Sequence, residues 1–148
     1  MDDELSWKWL AGEQTDATDF GDPTTTTNYE LCVFDGSGAA FSYVLFNAAE
    51  DCGGKSCWHS TSTGYGYSRK LEGDDGTTSS ARLTLRAGED GKAKIIASAT
   101  GGQLEIGGLP PEAPVIVQLR VKDGPCWEAT YSAPASSSDA GTFSDRAD

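Results

Sequence analysis

The stretch Ala81-Arg82-Leu83-Thr84-Leu85-Arg86 alternates apolar and polar residues with a period of two. Successive side chains of a β-strand point to opposite faces, so the two leucines share one face while Thr84 and the two arginines share the other. A strand with one apolar and one polar face is typical of an antiparallel sheet that is buried on one side only. This stretch therefore predicts an antiparallel β fold.

The same period of two recurs in residues 92–99 and 114–121, and the residues expected to face inward there are Ala93, Ile95, Ala97, Ala99, Val115, Val117, Leu119 and Val121. Other runs rich in β-branched and aromatic residues lie between turn-like segments of Gly, Asp and Pro. They predict strands over residues 7–10, 29–34, 41–46, 58–62, 65–69, 104–106 and 127–132. About nine or ten short strands at this spacing indicate an all-β, antiparallel β-sandwich, jelly-roll-like or immunoglobulin-like.

The length of 148 residues fits one ordinary domain. We expect a single disulfide-stapled β-sandwich domain over residues 1–132. Residues 133–148 are rich in Ser and Asp, with Phe143 as their one large apolar side chain. This composition predicts a C-terminal tail or a final strand.

The chain carries a formal net charge of −12, and its lysines and arginines form no cluster in the sequence. Such a protein repels phosphate backbones, so we expect no nucleic-acid partner. No apolar run approaches the roughly 20 residues that a membrane-spanning helix needs, so we expect no membrane insertion.

The four cysteines indicate disulfides. Cys52 and Cys57 bracket a short Gly-Gly-Lys-Ser loop, Cys32 lies in an apolar run and Cys126 begins another. We predict the bridges Cys52–Cys57 and Cys32–Cys126, although four cysteines allow three pairings. Zinc is disfavoured because there is no Cys-x-x-Cys motif and a single histidine. Disulfides form in oxidising compartments, so we expect a secreted, extracellular protein.

Several motifs in fixed order resemble an uncharacterised β-rich domain of predicted secreted bacterial proteins, often placed toward the end of longer chains. They are Trp7-Lys8-Trp9, Phe20-Gly21-Asp22-Pro23, Leu31-Cys32-Val33-Phe34-Asp35 and Cys126-Trp127-Glu128-Ala129-Thr130-Tyr131. The resemblance spans nearly the whole sequence. It implies an extracytoplasmic accessory domain and supplies no catalytic residue or ligand.

Aromatic residues give the strongest binding hypothesis. Trp7 and Trp9 are two residues apart and so share a face of a strand, and Tyr65 and Tyr67 do the same. Exposed coplanar rings stack on sugar rings, so these four residues are candidate carbohydrate ligands. Packing in the core is the alternative interpretation, and both stay open for the tyrosines, which are flanked by glycines.

Acidic residues offer weaker candidates for calcium, which binds carboxylate and turn carbonyl oxygens. The candidate ligands lie in two turn-like segments and are Asp16, Asp19, Asp22, Asp74 and Asp75. Ordinary turns in which Asp caps the backbone explain the same residues without a metal ion.

The sequence indicates three candidate functions. The first is a non-catalytic extracellular accessory module that binds carbohydrate or a cell-surface component. The second is a structural subunit of a surface layer, filament or sheath that self-associates through strand edges or termini. A hydrolase comes third, because the sole histidine, His59, lies in a predicted strand and a triad with Ser60 has no sequence motif to support it. We therefore expect no enzyme activity.

Overall fold

The computed structural model describes residues 3–74, 76–101, 104–139, 141, 143–145 and 147. Within these residues the chain forms antiparallel strands and one short 3-10 turn over Ala17–Phe20, so the all-β class is confirmed. The strands are β1 (Glu4–Gly12), β2 (Tyr29–Phe34), β3 (Ala40–Phe46), β4 (Trp58–Ser60), β5 (Gly64–Glu72), β6 (Thr78–Arg86), β7 (Ala93–Thr100), β8 (Val115–Val121), β9 (Cys126–Tyr131), β10 (Ser137–Ser138) and β11 (Phe143–Ser144).

The chain divides into two compact units. The first unit consists of Met1–Tyr29 and Phe46–Leu104, and the second of Glu30–Leu45 and Glu105–Asp148. In the segment expected to be a tail or a final strand, β10 pairs antiparallel with β11.

The first unit is built on a sheet of five strands in the order β1-β7-β6-β5-β4. Leu83 of β6 lies opposite Ala97 of β7, which in turn lies opposite Trp7 of β1. All three are buried, as are the residues two positions away on β6 and β7, Leu85 and Ile95. The alternation in the sequence therefore predicted the buried face of this sheet correctly.

An aromatic cluster fills the buried side of the same unit near β4. The ring centroids of Trp58 and Tyr67 are 4.9 Å apart, and those of Tyr29 and Trp58 are 5.6 Å apart. Phe46 meets Tyr67 edge to face at 5.1 Å. The indole Nε1 of Trp58 donates a hydrogen bond to the carbonyl of Asn47 at 2.8 Å, which satisfies the one polar atom of this buried side chain.

The second unit contains a sheet of four strands in the order β3-β2-β8-β9. In β8 and β9, Leu119 lies opposite Trp127 and Val117 lies opposite Ala129, and all four are buried. The two sheets are antiparallel, and alternate residues are buried along β6, β7 and β8, which is consistent with the predicted β-sandwich class.

One local prediction is wrong. Residues 104–106 form no strand; this segment and the adjoining Gly107 contact β3 through single bonds, from the Ser42 hydroxyl to the Glu105 carbonyl and from the Gly107 amide to the Phe41 carbonyl. In the 3-10 turn over residues 17–20, the Asp19 carboxylate accepts a hydrogen bond from the Asp16 amide at 2.8 Å.

The register of β7 can be tested with two adjacent isoleucines. Ile95 is fully buried, whereas Ile96 faces outward and is 36% exposed. We expect Ile95→Ala to lower the free energy of unfolding by about 2–5 kcal/mol, because it leaves a cavity. Ile96→Ala should cost less than about 1 kcal/mol. Urea denaturation of both variants measures the difference, and equal losses would contradict this register.

Candidate binding surface

The outer face of the five-stranded sheet carries a group of basic side chains that we call the cationic face, comprising Lys8, Arg82, Arg86 and Lys94. Strand register brings them together from β1, β6 and β7. One row of paired residues crosses all five strands, namely Lys8, Ile96, Thr84, Gly66 and His59. Because neighbouring strands lie about 4.8 Å apart and alternate residues about 7 Å apart, the Cα atoms of the four basic residues fall within about 15 Å.

The four residues of the cationic face have no acidic partner within the described part of the chain, whereas Lys70, opposite Ser80 on the same side of the sheet, pairs with Glu72 at 4.0 Å. The ion pairs found there are Arg69–Glu50, Lys70–Glu72, Lys92–Glu89 and Arg120–Glu30. Arg86 instead lies directly opposite Lys94 in the antiparallel pairing of β6 and β7. Like charges in this position repel each other and destabilise a sheet.

Hydroxyl side chains lie opposite Arg82 on both neighbouring strands. A second row of paired residues runs Ser6, Ser98, Arg82 and Ser68 across β1, β7, β6 and β5. Farther along the same face, the hydroxyls of Ser80 and Thr100 are hydrogen-bonded at 2.8 Å. The acidic residues Glu4 and Glu72 lie beyond this pair, opposite Thr100 and Thr78 respectively. The positive charges thus lie at the Arg86 and Lys94 end and in the middle of the face, and the hydroxyl of Thr84 lies between Arg82 and Arg86.

His59 lies flat over this face at its β4 edge. A Cβ atom on Gly66 would come within 2.3 Å of the His59 ring carbon Cε1 and 2.4 Å of Nε2, so only glycine leaves room for the ring. Ser60 follows His59 in β4 and therefore points to the opposite face of the strand. The local arrangement separates the two residues that a hydrolase triad would need to bring together.

The four aromatic candidates lie on the opposite side of the same sheet. Trp7 is 3% exposed and Tyr67 is 2% exposed, while Trp9 and Tyr65 are half-buried. The Tyr67 hydroxyl donates a hydrogen bond to Glu50 Oε2 at 2.5 Å, and burial, followed by this bond, raises the pKa of Tyr67. The structure thus places Trp7 and Tyr67 in the core.

The calcium candidates are used in local turns. Asp16 and Asp19 cap the 3-10 turn, and Asp74 lies in an exposed turn; Asp75 is outside the described residues. The Asp22 carboxylate accepts hydrogen bonds from the hydroxyl and the amide of Thr24, and the hydroxyl bond does most to lower the pKa of Asp22. Among the residues described, no group of three or more His, Cys, Asp or Glu side chains could hold a metal ion.

The cysteines follow the prediction in part. Cys52 and Cys57 form a disulfide, whereas Cys32 and Cys126 are free, so the predicted Cys32–Cys126 bridge is not formed. The reason is the strand order, because β8 lies between β2 and β9. Two strand spacings separate the Cα atoms by about 9–10 Å, beyond the roughly 7 Å that a disulfide spans.

Arg120 of β8 occupies the space between the two thiols. It lies opposite Cys126, and its Nη2 donates to Glu30 Oε2 at 2.8 Å and to Cys32 Sγ at 3.1 Å. Burial of Cys32, followed by the charge of Glu30, raises the pKa of its thiol. Sequence reasoning missed this group, since its members are nearly ninety positions apart.

An exposed apolar pair lies on β3, which is an edge strand of the four-stranded sheet. Tyr43 is 56% exposed and Leu45 is 44% exposed. The alternation of β3 buries Ser42, Val44 and Phe46 and so turns Tyr43 and Leu45 outward. The sequence shows this alternation, but it does not show which of the two faces of β3 is buried.

No protein-family model, no curated protein and no solved structure matches the chain. The resemblance to an uncharacterised secreted domain therefore remains an expectation. Among the described residues, no helix is long and apolar enough to cross a membrane.

The thiols give a direct chemical test. Cys126 is exposed and Cys32 is buried against Arg120, so one thiol per native chain should react with an aromatic disulfide reagent, and two after unfolding without reductant. Burial, followed by the charge of Glu128, raises the pKa of Cys126, so the native reaction should be slower than that of a free cysteine. Cys126→Ser should abolish it. If no thiol reacts after unfolding, the Cys32–Cys126 bridge is formed after all. If four thiols react, neither predicted disulfide is present.

Stability measurements can test the repulsion between Arg86 and Lys94. Replacing Lys94 by Thr removes one of two facing like charges and adds a good strand former, so we expect the free energy of unfolding to rise by about 0.2–1 kcal/mol. The control Lys94→Arg keeps the repulsion and should give no gain. A clear loss of stability in Lys94→Thr would show that Lys94 has a stabilising partner.

Proposed function

We propose that the protein is a non-catalytic, extracellular accessory module that binds carbohydrate at a cell surface through the cationic face. The observation that carries the proposal is the cluster of basic side chains without acidic partners on one face of the sheet, in a chain of net charge −12. Arg86 and Lys94 face each other at a cost in stability. A ligand that approaches this face supplies the missing counter-charge.

The hydroxyl groups of the surface support a carbohydrate. The sheet face presents Ser6, Ser68, Ser98 and Thr84 near its charges, and each hydroxyl can donate and accept hydrogen bonds. Sugars present hydroxyl groups of the same kind. Basic side chains between them would add charge-assisted hydrogen bonds, which are the stronger ones.

The extracellular location rests on the cysteines. The Cys52–Cys57 disulfide persists in oxidising compartments, where cell-surface polymers are found. Two further cysteines remain as thiols, so the location is inferred from one bridge.

The proposal is tested by retention of the purified chain on a panel of immobilised polysaccharides, neutral and charged. We expect retention on at least one polysaccharide, and a loss of retention in the double variant Arg82→Gln/Arg86→Gln. The matched control is Lys55→Gln/Lys122→Gln, which changes the net charge equally at exposed sites off the cationic face. Failure of the native chain to bind any polysaccharide would contradict the proposal, as would equal binding by the two double variants.

A second candidate is a self-associating structural subunit, and β3 favours it. This edge strand contains no charged residue and no proline, and it exposes Tyr43 and Leu45. Edge strands of this kind pair with other chains unless a charge or proline prevents it.

Light scattering across a range of concentrations tests this second candidate. Self-association through β3 should raise the average mass with concentration, and Leu45→Lys should abolish the rise by placing a charge on the edge. The control is Leu10→Lys, at another exposed leucine on β1. A constant monomer mass in the native chain would rule out this role for β3.

A further inference from the structure

We infer that the ligand of the cationic face is a polyuronate, an anionic polysaccharide with one carboxylate on each sugar. The inference rests on the proposed function and names the chemical class of its ligand. It is argued from how charges and hydroxyl groups alternate on this face.

The two arginines of the cationic face are separated along one strand. Arg82 and Arg86 are four positions apart on β6, with Thr84 between them facing the same way. Ser98 on β7 and Ser68 on β5 flank Arg82 with hydroxyl groups, whereas Arg86 lies between Lys94 and Gly64. A polymer that alternates single carboxylates with several hydroxyl groups matches this pattern, whereas a densely sulfated polymer would face too few positive charges.

Arginine fits the carboxylate itself. Its planar guanidinium offers two parallel N–H donors, which match the two oxygens of a carboxylate. In the described part of the chain, Arg82 and Arg86 are in no ion pair, unlike Arg69 and Arg120, whose guanidinium groups already bind Glu50 and Glu30. The two arginines of β6 are thus available to the ligand.

Nucleic acid fits the same face less well. Proteins that bind single strands stack the bases on aromatic side chains, but Trp7 and Tyr67 of the same sheet are buried on its other side. Double-stranded DNA is read by a helix or ribbon that enters a groove, whereas this surface is the face of a five-stranded sheet.

The experiment measures binding of the native chain to polygalacturonate oligomers and to the same oligomers after methyl esterification. Esterification removes the negative charge and keeps the sugar ring. We expect the acid form to bind at least about tenfold more tightly, since bonds to charged groups are each worth a factor of ten or more. Binding should weaken as salt is raised from 0.1 M to 1 M, because the screening length falls from about 10 Å to 3 Å.

Two triple variants separate the face from overall charge. Lys8→Gln/Arg86→Gln/Lys94→Gln should weaken binding to the acid form at least about tenfold. Lys55→Gln/Lys92→Gln/Lys122→Gln changes the net charge equally at exposed residues outside β1, β6 and β7, and should alter binding to the acid form less than about twofold. Urea denaturation of both variants checks that each remains folded. If the first triple variant is unfolded, the single variant Arg82→Gln replaces it in the binding measurement.

The outcomes distinguish the two proposals. Equal binding of the acid and the ester would overturn the polyuronate inference and leave carbohydrate binding standing. Tighter binding to a DNA oligonucleotide, a densely sulfated glycan or vesicles of anionic lipid than to polygalacturonate would also overturn it. If the native chain binds no sugar polymer, charged or neutral, the proposed function fails together with the inference.

Discussion

The register of β7 against its two neighbours is the constraint on which the candidate surface depends. Ala97 lies opposite both Trp7 and Leu83, and Ile95 lies opposite Leu85, so the apolar residues of three strands meet on one face. A slip of one residue would turn every side chain of β7 to the other face and expose Ile95 and Ala97. The same register therefore decides that Lys94 lies beside Arg86 and near Lys8.

Burial outweighs the repulsion that this register creates. Each fully buried leucine or isoleucine contributes about 1.5–3 kcal/mol, and Leu83, Leu85 and Ile95 are all within 1% of complete burial. A facing pair of like charges costs about 0.2–1 kcal/mol. Burial of these side chains thus contributes more free energy than the repulsion between Arg86 and Lys94 costs. The two charges do not stabilise the sheet and remain available to a ligand. Destabilising arrangements that a fold retains are commonly found at functional sites.

The hydrophobic pattern of the sequence predicts the two faces of each single strand, whereas the cationic face is formed by several strands together. The period of two in residues 81–86 placed Arg82 and Arg86 on the outer face, as the structure has them. It could not bring in Lys8 and Lys94, because the pairing of β1, β6 and β7 is set by packing between residues up to about ninety positions apart. The lack of a basic cluster in the linear sequence was therefore a poor guide to the folded surface.

The Cys32–Cys126 prediction was wrong, and the aromatic prediction left burial and exposure open, for a related reason. The spacing of Trp7 and Trp9 showed that they share a face but not that this face is the buried one. For the cysteines, strand membership was predicted correctly for β2 and β9, yet the insertion of β8 between them could not be read from the chain. The local Cys52–Cys57 bridge was predictable, because only four residues separate its ends.

The central claim is that ligand binds on the outer face of the five-stranded sheet. Backbone amide chemical shifts recorded during a titration with polygalacturonate oligomers test it most directly. We expect the largest shifts at Arg82, Thr84, Arg86, Lys94 and Ile96, with little change at Tyr43 and Leu45 on β3. Shifts concentrated on β3, or around the half-buried Trp9 and Tyr65, would place the binding site elsewhere and contradict the account.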